Sequence, residues 1–230
     1  MFSFIKFFKE STEPKGVATT FMKARIPTLA HKGVVDSIKS FAQEHKMASV
    51  IRLSGTNHPL SADQKKKHAE NLFQHPVEIA DSKTNSIVAH LSDLSNRGHH
   101  SAHVFVGSDR AHEIQRIADH HNMNNNAGYI DKKGNKVFQF PGGIHVHQFG
   151  SNRLDLDHPN SAEEHEVSKI HPTKMKPDQI SRSTSATRLE KLAGAGDYHG
   201  FKAYHPGVDE NHVKSLYNDV KIGLTKPKHK

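Results

Sequence analysis

The sequence predicts an α/β fold, a doubly wound and mostly parallel sheet with helices on both faces. Three observations predict it. From Gly16 onward, short apolar or β-branched runs alternate with longer segments of helical periodicity. Such alternation is how strand–helix–strand units read, because a parallel strand pair needs a crossover and a helix usually supplies it. The length, 230 residues with 34% hydrophobic side chains, suits one sizeable domain plus appendages. No internal repeat breaks the pattern.

Taken in order, residues 17–23 form a first strand, and Leu29–Glu44 a helix with Val34, Val35, Ile38 and Phe41 on its apolar face. Ala48–Leu53 is a second strand, and Ser61 caps a helix that runs to residue 73. A short strand at 77–80 precedes a helix at 86–95, which Gly98 terminates. Residues 102–107 read as a buried strand and 111–121 as a helix. Residues 122–134 are polar and turn-rich, an exposed excursion. Segments 136–140 and Ile144–Phe149 read as further strands, separated by Pro141-Gly142-Gly143. Residues 155–178 are polar, rich in His, Glu and Pro, and weakly periodic, which predicts a long loop or lid. A final helix at 209–222 and a basic tail at 226–230 follow. The expected organisation is an N-terminal targeting or docking segment (1–15), a main domain (16–207, with the insertion at 155–178), and a C-terminal helix with its tail (208–230).

Composition narrows the function classes. A formal charge of +8 favours polyanionic partners such as nucleotides, pyrophosphate or nucleic acid, although scattered lysines also serve solubility. The chain has no cysteine, which excludes disulfides and thiolate metal sites and fits a reducing compartment. No run approaches the roughly 18 apolar residues of a membrane span. Histidine is abundant at 21 residues, clustered at His99, His100 and His103, at His120 and His121, and at His145 and His147. His145 and His147 share one face of a strand. No third ligand stands at a diagnostic spacing, so these rings read as core or solvated histidines that charge below about pH 6.5.

In doubly wound sheets, ligands sit beyond the C-terminal ends of the strands. Residues 21–31, Phe-Met-Lys-Ala-Arg-Ile-Pro-Thr-Leu-Ala-His, occupy that place after the first strand. A helix starting at Leu29 offers its backbone N–H groups and positive end to a phosphate. The Thr28 hydroxyl and the His31 imidazole face the same anion. Residues 183–188, Ser-Thr-Ser-Ala-Thr-Arg, read as a second Ser-capped helix start with a fixed charge. Gly107 permits close backbone approach to a ligand. Arg110 meets phosphate or ribose, and Asp109 either orders the turn or caps the helix that follows.

The first of these segments resembles the [His/Thr]-x-Gly-His turn of the nucleotidyltransferase superfamily. The second resembles its late Ser-x-[Ser/Thr]-x-x-Arg helix start. Further resemblances lie in Asn57-His58-Pro59-Leu60-Ser61 with Lys65, in Val106-Gly107-Ser108-Asp109-Arg110 with Glu113, in Gly150-Ser151-Asn152-Arg153, and in Asp197-Tyr198-His199-Gly200-Phe201 before Pro206. They span residues 17–206 and are best with nucleotidyltransferase-like proteins of tailed bacteriophages. Those are relatives of nicotinamide-mononucleotide and pantetheine-phosphate adenylyltransferases and of cytidylyltransferases.

The resemblance implies a Rossmann-like fold. It implies transfer of a nucleoside monophosphate, AMP from ATP (CTP being the alternative donor), to a phosphorylated acceptor such as nicotinamide mononucleotide. Pyrophosphate is released, and Mg2+ accompanies the triphosphate. His31, Thr28, Lys23 and Arg188 take the catalytic positions, with His31 on the phosphates being exchanged and Lys23 where phage relatives carry Arg. Ala30, Gly107, Asp109, Arg110, Ser183 and Ser185 take the nucleotide-binding positions, the serines holding the β- and γ-phosphates.

Three residues depart from the pattern: Met22 and Ala30 stand where glycines are usual, and Ala186 where Lys is common. Losing one phosphate contact costs roughly 1.5–3 kcal/mol. The departures keep a second expectation open, a catalytically degenerate phage structural or packaged head protein with virion or capsid partners. The segment Met-Phe-Ser-Phe-Ile-Lys-Phe-Phe-Lys-Glu at 1–10 resembles phage head-targeting peptides, with Phe8-Lys9-Glu10 as the cleavage point. Such a protein would reside in the host cytoplasm or be packaged in the virion. A basic nucleic-acid-binding accessory protein is a third expectation.

Overall fold

The computed structural model describes residues 16–55, 58–123, 128–150 and 154–226. The N-terminal targeting segment, Asn57, residues 151–153 with Arg153, and the last four residues of the basic tail lie outside the described residues.

The fold is α/β and Rossmann-like. Strands β1 (Gly16–Met22), β2 (Ala48–Leu53), β3 (Glu78–Ile79), β4 (Ser101–Gly107) and β7 (Ile144–Phe149) form one sheet in the order β3-β2-β1-β4-β7. Every pairing in it is parallel. The intervening β5 (Tyr129–Ile130) and β6 (Lys136–Phe138) form a separate antiparallel hairpin. Helices α1 (Leu29–Glu44), α2 (Ala62–Phe73), α3 (Ile87–Asn96) and α4 (Ser108–Asn122) are the crossovers. Then come α5 (Ala162–Ser168), a 3-10 turn at Pro172–Lys174, α6 (Pro177–Ser183), α7 (Ala186–Gly194), α8 (Tyr198–Ala203) and α9 (Glu210–Thr225).

The central strand β1 is buried along its whole length, as a parallel strand covered on both faces must be. Its residues alternate between two cores. Ala18 and Met22 join Val35, Ile38, Leu53, Leu72 and Phe73 beneath α1 and α2. Val17 and Phe21 join Leu91, Leu94, Val104 and Ile114 beneath α3 and α4. The chain steps outward from β1 to β3 and then returns to β4 on the other side of β1. The connections leaving β1 and β4 therefore diverge, which makes this the switch point of the sheet. A third core joins Ile26 and Leu60 to Leu189, Phe201, Tyr204, Leu216 and Tyr217. Ile26 and Leu60 belong to the loops leaving β1 and β2, so the C-terminal helices cover the carboxyl end of the sheet.

Side-chain caps fix the helix starts: Thr28, Ser61, Ser86, Ser161, Ser185, Asp197 and Asp209 each accept from a backbone N–H in the first turn. Four expectations are corrected. Strand β1 ends at Met22, which leaves Lys23 in the following loop. Helix α4 opens at Ser108 rather than at 111, with extended Gly107 as its cap position, so Asp109 is in the first turn and is not the cap. Segment 136–140 is no strand of the main sheet: only Lys136–Phe138 is extended, and it pairs with β5. The Asp131 carboxylate turns this hairpin by accepting from the N–H groups of Lys133 and Asn135. The insertion 155–178 is no long loop. It carries α5, the 3-10 turn and the start of α6, built over a small core of Leu154, Leu156 and Val167.

Helix α9 approaches the loop after β2 closely enough that a Cβ on Gly223 would collide with the Pro59 carbonyl oxygen. The obstacle is backbone, so it yields poorly. Gly223→Ala is expected to cost about 3 kcal/mol. For a chain of this size the thermal midpoint then falls by roughly 6–12 °C. An unchanged midpoint in a thermal melt would mean that the loop gives way freely.

Candidate anion-binding site at the switch point

A cavity of about 590 Å3 opens where β1, β4 and β7 end. Its walls come from the loop after β1 and the first turn of α1, from the start of α4, and from the α6–α7 turn. Its lining includes the apolar Phe21, Met22, Val34, Val106 and Phe149. It also includes the basic Lys23, Arg25, Arg110 and Arg182 together with Thr28 and His31. Asp109 is the only carboxylate on the wall among the described residues. Three helix starts, each with unsatisfied N–H groups and a partial positive charge of about 0.5, face the same space.

Thr28 and His31 form a capping box that also sets the state of the imidazole. The Thr28 hydroxyl accepts from the His31 N–H at 3.4 Å, and His31 Nδ1 accepts from the Thr28 N–H at 3.2 Å. An amide N–H can only donate, so Nδ1 carries no proton in this arrangement. The neutral ring then holds its proton on Nε2, where it is a donor. The Thr28 hydroxyl also lies 2.8 Å from Nδ1, which fixes the ring further. Thr28 is buried and His31 partly so.

The arginines are held from behind. Arg25 donates to the Thr187 hydroxyl at 2.9 Å and pairs with Glu190 at 3.1 Å, joining the β1 loop to α7. Arg110 donates to the Phe21 carbonyl at 3.2 Å and pairs with Glu113 at 3.3 Å. Arg182 meets both oxygens of Glu163. Anchored in this way, Arg25 and Arg110 present charge with little rotamer freedom left to lose on binding, whereas both oxygens of Glu163 occupy the Arg182 guanidinium.

Of the residues expected from the sequence, Lys23, Thr28, Ala30, His31, Gly107, Asp109, Arg110 and Ser185 line this cavity. Ser183 and Arg188 lie off its wall. Ser183 ends α6, and from there its hydroxyl donates to the Gln179 carbonyl one turn back, at 2.5 Å. Arg188 is the third residue of α7. Its side chain turns toward Tyr204, and its Nε is buried without a hydrogen-bond partner. Sequence reasoning passed over Arg25, Arg182, Thr184, Thr187 and Phe149, all on the wall. Arg25, Thr184 and Thr187 sit inside the two quoted segments at positions no motif specifies.

Gly107 has φ −66° and ψ 158°, which any residue adopts. Its constraint is space: a Cβ there would lie 2.7 Å from Asp109 Oδ1. Gly107→Ala therefore displaces Asp109, the only wall carboxylate among the described residues, without straining the backbone. The expected result is a roughly tenfold change in affinity for a bound polyphosphate, about 1.4 kcal/mol, with the thermal midpoint nearly unchanged. Titration calorimetry with ATP checks it.

Elsewhere, His103, His145 and His147 gather with His45, Phe41 and Phe105 beside α1, His103 Nδ1 lying 3.1 Å from His147 Nε2. Burial and the neighbouring histidines push His103 down to about 4. Among the described residues no group of three His, Cys, Asp or Glu side chains is placed to hold a metal ion. A second cavity, about 500 Å3 on the outer side of α1, is lined by Lys32, Pro206 and His212 and holds none of the expected residues. No helix of the described residues is long and apolar enough to cross a membrane.

Compared with known proteins, the chain matches no family model and no curated protein.

Proposed function

We propose that the switch-point cavity binds the triphosphate of a nucleotide and that the protein is a nucleotidyltransferase. It would transfer AMP from ATP to a phosphorylated small-molecule acceptor such as nicotinamide mononucleotide, with release of pyrophosphate. One observation carries the reading: Lys23, Arg25, Arg110, Arg182 and His31 converge with three helix starts on one cavity that has a single wall carboxylate among the described residues. The volume is in the range of small-molecule sites, roughly 300–1,000 Å3. In this reading the apolar lining residues accommodate base and ribose, and the basic ones the phosphates.

The chemistry asks little covalent work of the protein. An acceptor phosphate oxygen forms a bond to the α-phosphorus, the bond from that phosphorus to the bridging oxygen breaks, and pyrophosphate leaves with the electron pair. Catalysis is orientation and neutralisation of charge. His31 donates through Nε2–H to a phosphate oxygen, and the anchored arginines hold the leaving group. Mg2+ bound to the phosphates supplies further charge neutralisation. Ser183 and Arg188 support the α6–α7 turn without touching phosphate in this reading.

The test is a pyrophosphate-release assay with ATP and CTP, Mg2+, and a panel of phosphorylated acceptors. Turnover with one donor–acceptor pair supports the reading. A second reading, a nucleotide-binding protein without turnover that is packaged with phage heads, is favoured by Arg188 turning away from the cavity and by the Ala30 methyl on its wall. ATP binding without pyrophosphate release, and recovery of the protein in purified particles, would select it.

A further inference from the structure

The insertion before the α6–α7 turn delivers two carboxylates to that turn. Asp157 Oδ2 accepts from the Ser185 hydroxyl at 3.0 Å, and its Oδ1 accepts from Lys191 Nζ at 2.7 Å. Glu163, in α5, takes Arg182 through both oxygens at 2.7 and 3.2 Å. Ser185 and Arg182 are both cavity-wall residues, whereas Asp157 and Glu163 are not. The two acidic groups thus contact the turn without lining the cavity.

The Ser185 hydroxyl has one proton. As the cap of α7 it accepts from the Arg188 N–H at 3.0 Å, and it gives its proton to Asp157. It has nothing left to donate to a ligand oxygen while that contact stands. The Asp157 side chain is 12% exposed, and it is ionised at neutral pH. Burial pushes its carboxyl up, but the hydrogen bonds from Lys191 and Ser185 and the charges of Lys191 and Arg188 outweigh burial and hold it low.

The turn that carries Asp157 is organised on a separate carboxylate. Glu164 accepts from the N–H groups of Asp155, Asn160 and Ser161 at 2.8, 2.9 and 3.1 Å. Leu154 and Leu156 anchor its base against Val167. Asp157 can therefore leave Ser185 while the base of the turn stays in place.

We propose that Asp157 is an internal stand-in for a ligand phosphate, which a nucleotide polyphosphate must displace from Ser185 before it seats on the α6–α7 turn. The inference rests on the reading of the cavity as a polyphosphate site and adds a regulatory contact to it. Glu163 acts in the same sense by holding Arg182. The insertion is an acidic strap that lowers the resting affinity of the site, and any event that draws it away raises that affinity.

The experiment is titration calorimetry of ATP and of inorganic tripolyphosphate into the full chain, wild type against D157N and E163Q. D157N is expected to bind both ligands at least fivefold more tightly than wild type, and E163Q about twofold more tightly. Binding by D157N alone, with wild type silent, supports the strap still more directly. Equal or weaker binding by D157N overturns the strap and leaves the polyphosphate reading standing. No binding by any of the three proteins overturns both. Hydrogen exchange on the wild-type protein gives a readout that needs no variant. Tripolyphosphate should lower protection over residues 154–160 and raise it over 184–188. Raised protection in both segments would make the insertion a closing lid and overturn the proposal.

Discussion

Substituting glutamine for His31 should reduce pyrophosphate release by a factor of about 100–1,000, the usual cost of losing one preorganised donor to developing charge. The thermal midpoint should stay within a degree or two of wild type. The two expectations separate because His31 has two roles at two ends of one ring. Nδ1 accepts from the Thr28 N–H and completes the cap of α1, while in the proposed reaction the proton on Nε2 is the group that would meet phosphate. Glutamine at the third helical position restores the first role, since a capping box accepts Glu or Gln there. The chain already uses that solution in α2, where Gln64 Oε1 accepts from the Ser61 N–H at 3.0 Å. Alanine removes both roles and should add about 1 kcal/mol of destabilisation. Activity retained in His31→Gln would remove the imidazole from the mechanism, and a shared loss of stability in both variants would make His31 a cap and nothing more.

The protein should lose much of its stability between pH 6.5 and pH 5. Two buried histidines dominate the expectation. Burial, with the Arg52 charge adding to it, pushes His90 down to about 3. Its Nε2 lies 2.7 Å from the Thr19 hydroxyl, which donates to the Val50 carbonyl at 2.7 Å and so must accept from the ring. His90 Nδ1 is buried with no partner for a second proton. Burial likewise pushes His205 down to about 4.

For both groups the folded pKa lies below the unfolded value of about 6.5, so the folded state favours the neutral ring. That contribution is fully present above pH 6.5 and is lost as the pH falls toward the folded values. Each group loses about 1.4 kcal/mol per pH unit, or about 2 kcal/mol by pH 5, so the pair costs about 4 kcal/mol. Whole domains are stable by about 5–15 kcal/mol. His68, His121, His147 and His212 are displaced in the same direction by burial. Thermal melts from pH 8 to pH 4.5 should show the midpoint dropping steeply below pH 6. A flat midpoint between pH 7 and pH 5 would mean that these rings reach water before the fold gives way.

Periodicity made the crossover units legible. Leu29–Glu44, Ala48–Leu53 and Ile144–Phe149 have the bounds their patterns predict, because each pairs an apolar repeat with a cap or a Gly/Pro stop. Where a segment packs only one small face, the pattern fails. Val167 is the sole buried apolar side chain of α5, and Leu154 and Leu156 precede it in irregular chain, so 155–178 reads as loop. Residues 136–140 show strand character without showing which strand they pair, and pairing is decided by the Asp131 turn. At the site, Thr28 and His31 were legible since capping geometry is local. Arg188 was not, because its direction depends on how α7 rotates against Tyr204, a residue of the third core. Arg25 escaped notice for a related reason: its partners Thr187 and Glu190 are remote in sequence.

The third core also sets an order of events during synthesis. Ile26 and Leu60 are made early, and both are fully buried against Leu189, Leu216 and Val220. The five parallel strands are all translated by residue 149. At about 5–20 residues per second, the roughly 70 residues that complete the cover take about 4–14 s to follow. Until those residues follow, the carboxyl end of the sheet has no cover, and two apolar loop residues lack the helices they pack against. Arg25 has no Glu190 to meet, and the cavity has only part of its wall. The nascent chain thus passes through a stage in which the scaffold precedes its binding site, and that exposed end is where a chaperone would find it.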